Sequence, residues 1–226
     1  MKRYYISLIL VVVVLAGATT SCKKAAYLTD GGVHNAITPL STYDYLKQHP
    51  WKLFDTLVMV IDHYGLKDKV NAANTFFAPT NYSIGRYMTA RLIEKQAINP
   101  AAAYTIDSLF KDLKADSVMQ YVFTDKIMLA EAQELQPKLY APQTSTDLRM
   151  GVMKELQTST LYTERSNAPT YLLYLVKIRG DIDIPGVIPP ANESDIRVVC
   201  QTTGILPENG QKVLHVLSNL HVFARF

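Results

Sequence analysis

The sequence predicts an α+β domain, and three observations point to it. Apolar residues at helical spacing fill the first half. Runs rich in Val, Ile, Leu and Tyr, divided by Pro-, Gly- and Asn-containing turns, fill the second. The two kinds of pattern do not alternate regularly, which argues against a doubly wound sheet. The 226 residues are 48% apolar and 19% charged with 10 Gly and 11 Pro, the composition of a chain that buries a core.

Ser41 is placed to cap a short helix ending near Gln48 and Pro50, with Asp44 as the returning carboxylate of a capping box. Leu53, Leu57, Val60, Ile61 and Tyr64 then lie on one helical face, and Gly65 suits the left-handed residue that closes it. Thr75-Phe76-Phe77-Ala78 reads as a short strand cut off by Pro79, and Thr80-Asn81 as a cap for the next helix. Ile106, Leu109, Phe110 and Leu113 form another helical face, and residues 117–123 a further short helix. Strands are expected at 171–178, 196–201 and 212–223, with turns at Ile184-Pro185-Gly186 and Pro207-Glu208-Asn209-Gly210. There is no internal repeat and no low-complexity segment.

Met1-Lys2-Arg3, the apolar run 6–18 and the small residues Thr19-Thr20-Ser21 before Cys22 have the layout of an export signal. At ~1.5 Å per residue the run reaches about 20 Å, short of the ~30 Å hydrocarbon core, so a permanent membrane helix is the weaker reading. The segment resembles the lipobox of bacterial lipoproteins, with Thr19 in place of the usual Leu. The resemblance implies cleavage after residue 21 and acylation of the Cys22 thiol, several chains being needed for firm attachment. Lys23-Lys24 follows and no Asp stands beside Cys22, which by analogy with lipoprotein sorting implies the outer membrane and leaves its two faces open. The expected organisation is a signal peptide 1–21, a flexible tether 22–40 and a single domain 41–226.

Thr75-Phe76-Phe77-Ala78-Pro79-Thr80-Asn81 resembles the first signature box of fasciclin-like domains. Asn209-Gly210 followed by Val213-Leu214-His215-Val216-Leu217 resembles the second, and Tyr43-Asp44-Tyr45-Leu46 with the 54–65 helix resembles the family's opening helices. The resemblance implies a β-sandwich-like wedge under a helical layer, with Phe77, Ala78, Pro79, Thr80, Asn81 and His215 as structural motif residues. Many members carry a Tyr-His pair between the boxes; here Tyr121 is kept and Val122 replaces the histidine. Segments 85–104 and 143–190 are longer than in a typical member and are expected to be binding loops on a rigid frame. The activity implied is adhesion: a lipid-anchored module of the cell envelope binding a protein or polysaccharide. The alternative is a glycan-capture accessory of an outer-membrane polysaccharide importer.

A net charge of +3 is too small to mark a nucleic-acid binder. Gly-x-Ser-x-Gly, His-Glu-x-x-His, Cys-x-x-Cys and a phosphate-binding glycine loop are all missing from the sequence, so no enzyme, cofactor or metal is expected. With Cys22 acylated, Cys200 has no disulfide partner; flanked by Val198 and Val199, it reads as a small core residue. His215 and His221, if on one strand, stand about 20 Å apart and cannot share a metal. Asp181 and Asp183, on one face of a strand, are read as a solvated edge and not as a calcium or acid/base pair. Tyr171 and Tyr174 point to opposite faces of theirs. Neither Asn81-Tyr82-Ser83 nor Asn192-Glu193-Ser194 carries meaning as a glycosylation sequon behind a bacterial export signal.

Overall fold

The computed structural model describes residues 36–160, 164 and 169–225. The leader, Cys22 and most of the expected tether lie outside them. Residues 36–40 do not: the amides of Leu206 and Thr38 exchange bonds with Ala36 O and Leu206 O, and those of Glu208 and Asn209 donate to Leu40 O and Thr38 O. The domain therefore begins by Ala36, ahead of the expected boundary at 41.

Helix α1 (Thr42–Gln48) is capped as expected: the Asp44 amide donates to Ser41 Oγ, and the Asp44 carboxylate accepts from that hydroxyl. Helix α2 (Asp55–His63) buries Leu57, Val60 and Ile61 completely and closes at Gly65 with φ +63°. Helix α3 (Lys67–Ala72) precedes strand β1 (Thr75–Ala78), all of which is buried, and helix α4 (Asn81–Gln96) follows at once. Helices α5 (Ile106–Asp112), with a capping box from Thr105 and Ser108, and α6 (Asp116–Met119) lead into β2 (Val122–Phe123). The helix expected over 117–123 thus stops at Met119. Val122 and Phe123 pair antiparallel with Phe76 and Thr75 instead, because a β-branched and an aromatic residue gain more by covering the open edge of β1.

The remaining strands are β3 (Gln133–Glu134), β4 (Lys138–Tyr140), β5 (Met150–Leu156), β6 (Tyr171–Lys177), β7 (Ile196–Ile205) and β8 (Val213–Leu217). The sheet runs β2-β1-β8-β7-β6-β5-β3, with β4 beside β3 on the outer edge of β5; β1 is parallel to β8 and β3 to β5, the other pairs antiparallel. β7 serves two neighbours: residues 196–199 pair with β6, and from Cys200 onward, through two register shifts, it pairs with β8. Those irregularities curl the sheet at Cys200. The result is an α+β domain with a curled mixed sheet, as the sequence predicts at that level.

Two expectations fail here. The segments 85–104 and 143–190 are not loops throughout: the first continues α4 to Gln96, and the second carries β5 and β6 between irregular stretches. β5 escapes the sequence because its burial does not alternate and Gly, Lys and Glu are weak strand formers; pairing along its whole length with β6 makes it a strand. The strand expected over 212–223 ends at Leu217, where the Ser218 amide turns to Val199 O and the chain bends back. One core packs the helices against the sheet. A smaller cluster of Met153, Val176 and Ile178, joined by Tyr174 and Ile182, lies apart from it.

Candidate functional site

The two sequence boxes lie side by side. β1 and β8 pair in parallel with Phe77 opposite His215, their rings stacked at 4.8 Å. Gly204 N–H donates to His215 Nδ1 (3.2 Å), so Nε2 carries the proton and donates to Ile127 O (2.9 Å). The ring is neutral and satisfied, and burial pushes its pKa down to about 4. Thr75, fully buried, accepts from Ile127 N–H and donates to Asp125 O. β1 and β8 together hold the 125–127 segment.

Pro79 turns the chain, and the next two residues fasten separate turns. Thr80 caps α4 by accepting from Ser83 N–H, while its hydroxyl donates to Asn219 Oδ1 (2.8 Å). Asn81 reaches the other way: Oδ1 accepts from Thr56 N–H (2.8 Å), and Nδ2 donates to Lys52 O (2.6 Å). Ala78 is fully buried with Phe77. Phe77, Ala78, Thr80, Asn81 and His215 thus pack or hydrogen-bond within the frame, and Asn81 of the first sequon is occupied by its bonds.

His221 is not on β8. It sits in the return after Leu217, buried, with Nε2 2.7 Å from Tyr121 Oη. The same phenol oxygen accepts from Ala224 N–H, so Tyr121 ties the return to the core at two points. Burial holds this ring too at about 4. A tyrosine–histidine pair thus exists in space although Val122 occupies the adjacent position in sequence. Cys200 is buried and its thiol is pushed well up by desolvation, consistent with a core residue.

Asp181 and Asp183 lie beyond the end of β6, not on a strand. Asp183 and Asp195 each accept the other's backbone N–H, and Asp195 also takes Arg179 N–H, so the carboxylates tie a loop together. Tyr171 and Tyr174 are half-buried on opposite faces of β6, with Tyr174 against the smaller cluster. Among the described residues, no group of three or more His, Cys, Asp or Glu is placed to hold a metal, and no helix is long and apolar enough to cross a membrane.

The open face lies where Thr80 and Asn81 fasten their two turns. A shallow groove of about 730 Å³ runs along α4, lined by Tyr82, Gly85, Arg86, Thr89 and Ile93 on the helix and by Asn219 and Val222 on the return. Arg86 Nε donates to Asn219 O (2.9 Å), which fixes the guanidinium plane. Tyr82 is 62% exposed, and Trp51, on the turn that Asn81 holds, is 84% exposed. That turn is rigid: Lys52 takes the left-handed φ of +52°, its amide bonds to His49 O, and the His49 ring packs edge-on to Trp51 and Phe54. Sequence reasoning missed all of these residues. The signals available were the sole tryptophan following a proline and the spacing of Tyr82, Gly85, Arg86, Thr89 and Ile93 along one helix face. No family model matches this sequence, and no curated protein does either.

Proposed function

We propose that the chain is a lipid-anchored display module of the bacterial outer membrane, a fasciclin-like domain that binds a protein or polysaccharide partner without catalysis. The carrying observation is the adjacency of the two boxes as β1 and β8, where Phe77, Thr80, Asn81 and His215 all serve the frame. Such a frame is what the fasciclin resemblance implies, and it leaves the α4 groove as the presented face. The buried His215, His221 and Cys200 support a non-enzymatic reading, since burial holds the two rings neutral and the thiol protonated. Acyl chains on Cys22 fasten the molecule and the residues before Ala36 give it reach.

The glycan-capture alternative is favoured by one specific feature, the exposed rings of Tyr82 on the groove and of Trp51 on the turn that Asn81 holds. Metabolic labelling of cells with an alkyne fatty acid tests the anchor. The wild-type chain is expected to take label and Cys22→Ala to take none; label retained by Cys22→Ala overturns the anchor and the display model with it.

A further inference from the structure

Gly85 is the feature of α4 that packing does not explain. It lies inside a 16-residue helix at normal helical φ, and a Cβ built there meets no atom within 4 Å. Glycine at such a position costs roughly 0.5–1 kcal/mol relative to alanine, and neither a turn nor a close neighbour requires it. What it does is keep the floor of the groove flat, between Tyr82 one turn before it and Thr89 one turn after.

The charge around that floor is one-sided. Among the described residues, Arg86 is the single charged one that lines the groove. Its Nε is spent on Asn219 O, while its terminal nitrogens make no hydrogen bond or ion pair among the described residues. The one acid of α4, Glu94, is paired with Arg91 and Arg225, which hold its carboxyl below the usual range. A planar, pre-oriented and unpaired guanidinium one helical turn from the exposed ring of Tyr82 is suited to a carboxylate on a flat, hydroxylated ring. A protein partner would call for deep pockets that bury aromatic or aliphatic anchors, and this groove is shallow with a backbone floor.

From this geometry we infer that the α4 groove binds a stretch of acidic polysaccharide. One uronate ring lies on Gly85 against Tyr82 with its carboxylate in the fork of Arg86, and Trp51 on the neighbouring turn takes a further sugar. The inference rests on the reading of the chain as a binding module and names its ligand class.

The test is titration calorimetry of the full chain in detergent micelles with polygalacturonate, using dextran as the neutral glycan and polyglutamate as the anionic polypeptide. Trp51 is the only tryptophan, so its emission follows the same titrations from within the site. Polygalacturonate is expected to bind and shift the emission to the blue, and the other two to do neither. Arg86→Gln should weaken binding about tenfold, the worth of a charge-assisted hydrogen bond. Gly85→Phe should abolish it at an unchanged circular dichroism spectrum, since the added ring enters open space. No heat with polygalacturonate, equal binding of polyglutamate, or undiminished binding by folded Gly85→Phe overturns the inference. Failure of the display reading shows separately, as fatty-acid label persisting on Cys22→Ala.

Discussion

The seam between β1 and β8 and the groove along α4 are joined by two adjacent residues yet obey opposite rules. At the seam, large side chains are buried and polar atoms matched: Phe76 and Phe77 are covered, His215 has a partner for each nitrogen, and Thr75 both donates and accepts. Along the groove and the turn that Asn81 holds, stability is given up. Gly85 weakens a helix, Lys52 holds a left-handed backbone and Trp51 keeps its ring in water. The difference teaches that the recognisable motif is the support and that the open face lies next to it, in residues the fold would be steadier without.

Acid should break the seam first, and by the largest amount. Burial lowers the pKa of both His215 and His221 from an ordinary 6.5 to about 4. The unfolded chain takes up these protons near pH 6.5 and the folded chain only near 4, so the unfolded state binds more protons between those values. Stability is complete above pH 6.5 and falls as pH drops toward 4, by on the order of 3 kcal/mol for each ring. Urea midpoints at pH 7 and 4.5 measure this; equal midpoints would show that the rings are not held neutral.

Phe77→Ala should cost about 3–5 kcal/mol, because it opens a cavity between two strands and removes the ring stacked on His215. Thermal melts check it, and a loss under 1 kcal/mol would mean the seam is not the centre of the core. Asn81→Ala removes two hydrogen bonds to the 52–56 turn and should cost about 1–3 kcal/mol. It should also change Trp51 emission, because Asn81 holds the carbonyl of left-handed Lys52; unaltered emission would separate the clamp from the display of Trp51. Gly85→Ala has the smallest effect and the opposite sign, a gain of roughly 0.5–1 kcal/mol. A destabilised Gly85→Ala would reveal a packing role for the glycine and end the contrast.

Where local chemistry decided the outcome, the sequence was legible. The Ser41 cap, the α2 stripe of Leu57, Val60 and Ile61, Gly65, the strand 75–78 and the Thr80 cap follow from spacing, capping and steric rules that act within a few residues. Cys200 and His215 were placed in the core from their apolar neighbours. The ends of elements were not legible: Val122 joins β1, and β8 stops at Leu217, because of partners that are remote in the chain.

The sequence by itself determined the α+β class, the helix caps and the burial of the strand that carries Phe77, since each depends on periodicity or on a side chain meeting its own backbone. Tertiary structure alone decided the rest. It brought His221 to Tyr121 across a hundred residues, made β5 a strand by pairing, bent the sheet at Cys200 and set the return residues Asn219 and Val222 against Tyr82 and Arg86 along one groove. These outcomes depend on which distant surfaces meet, and no local preference records that.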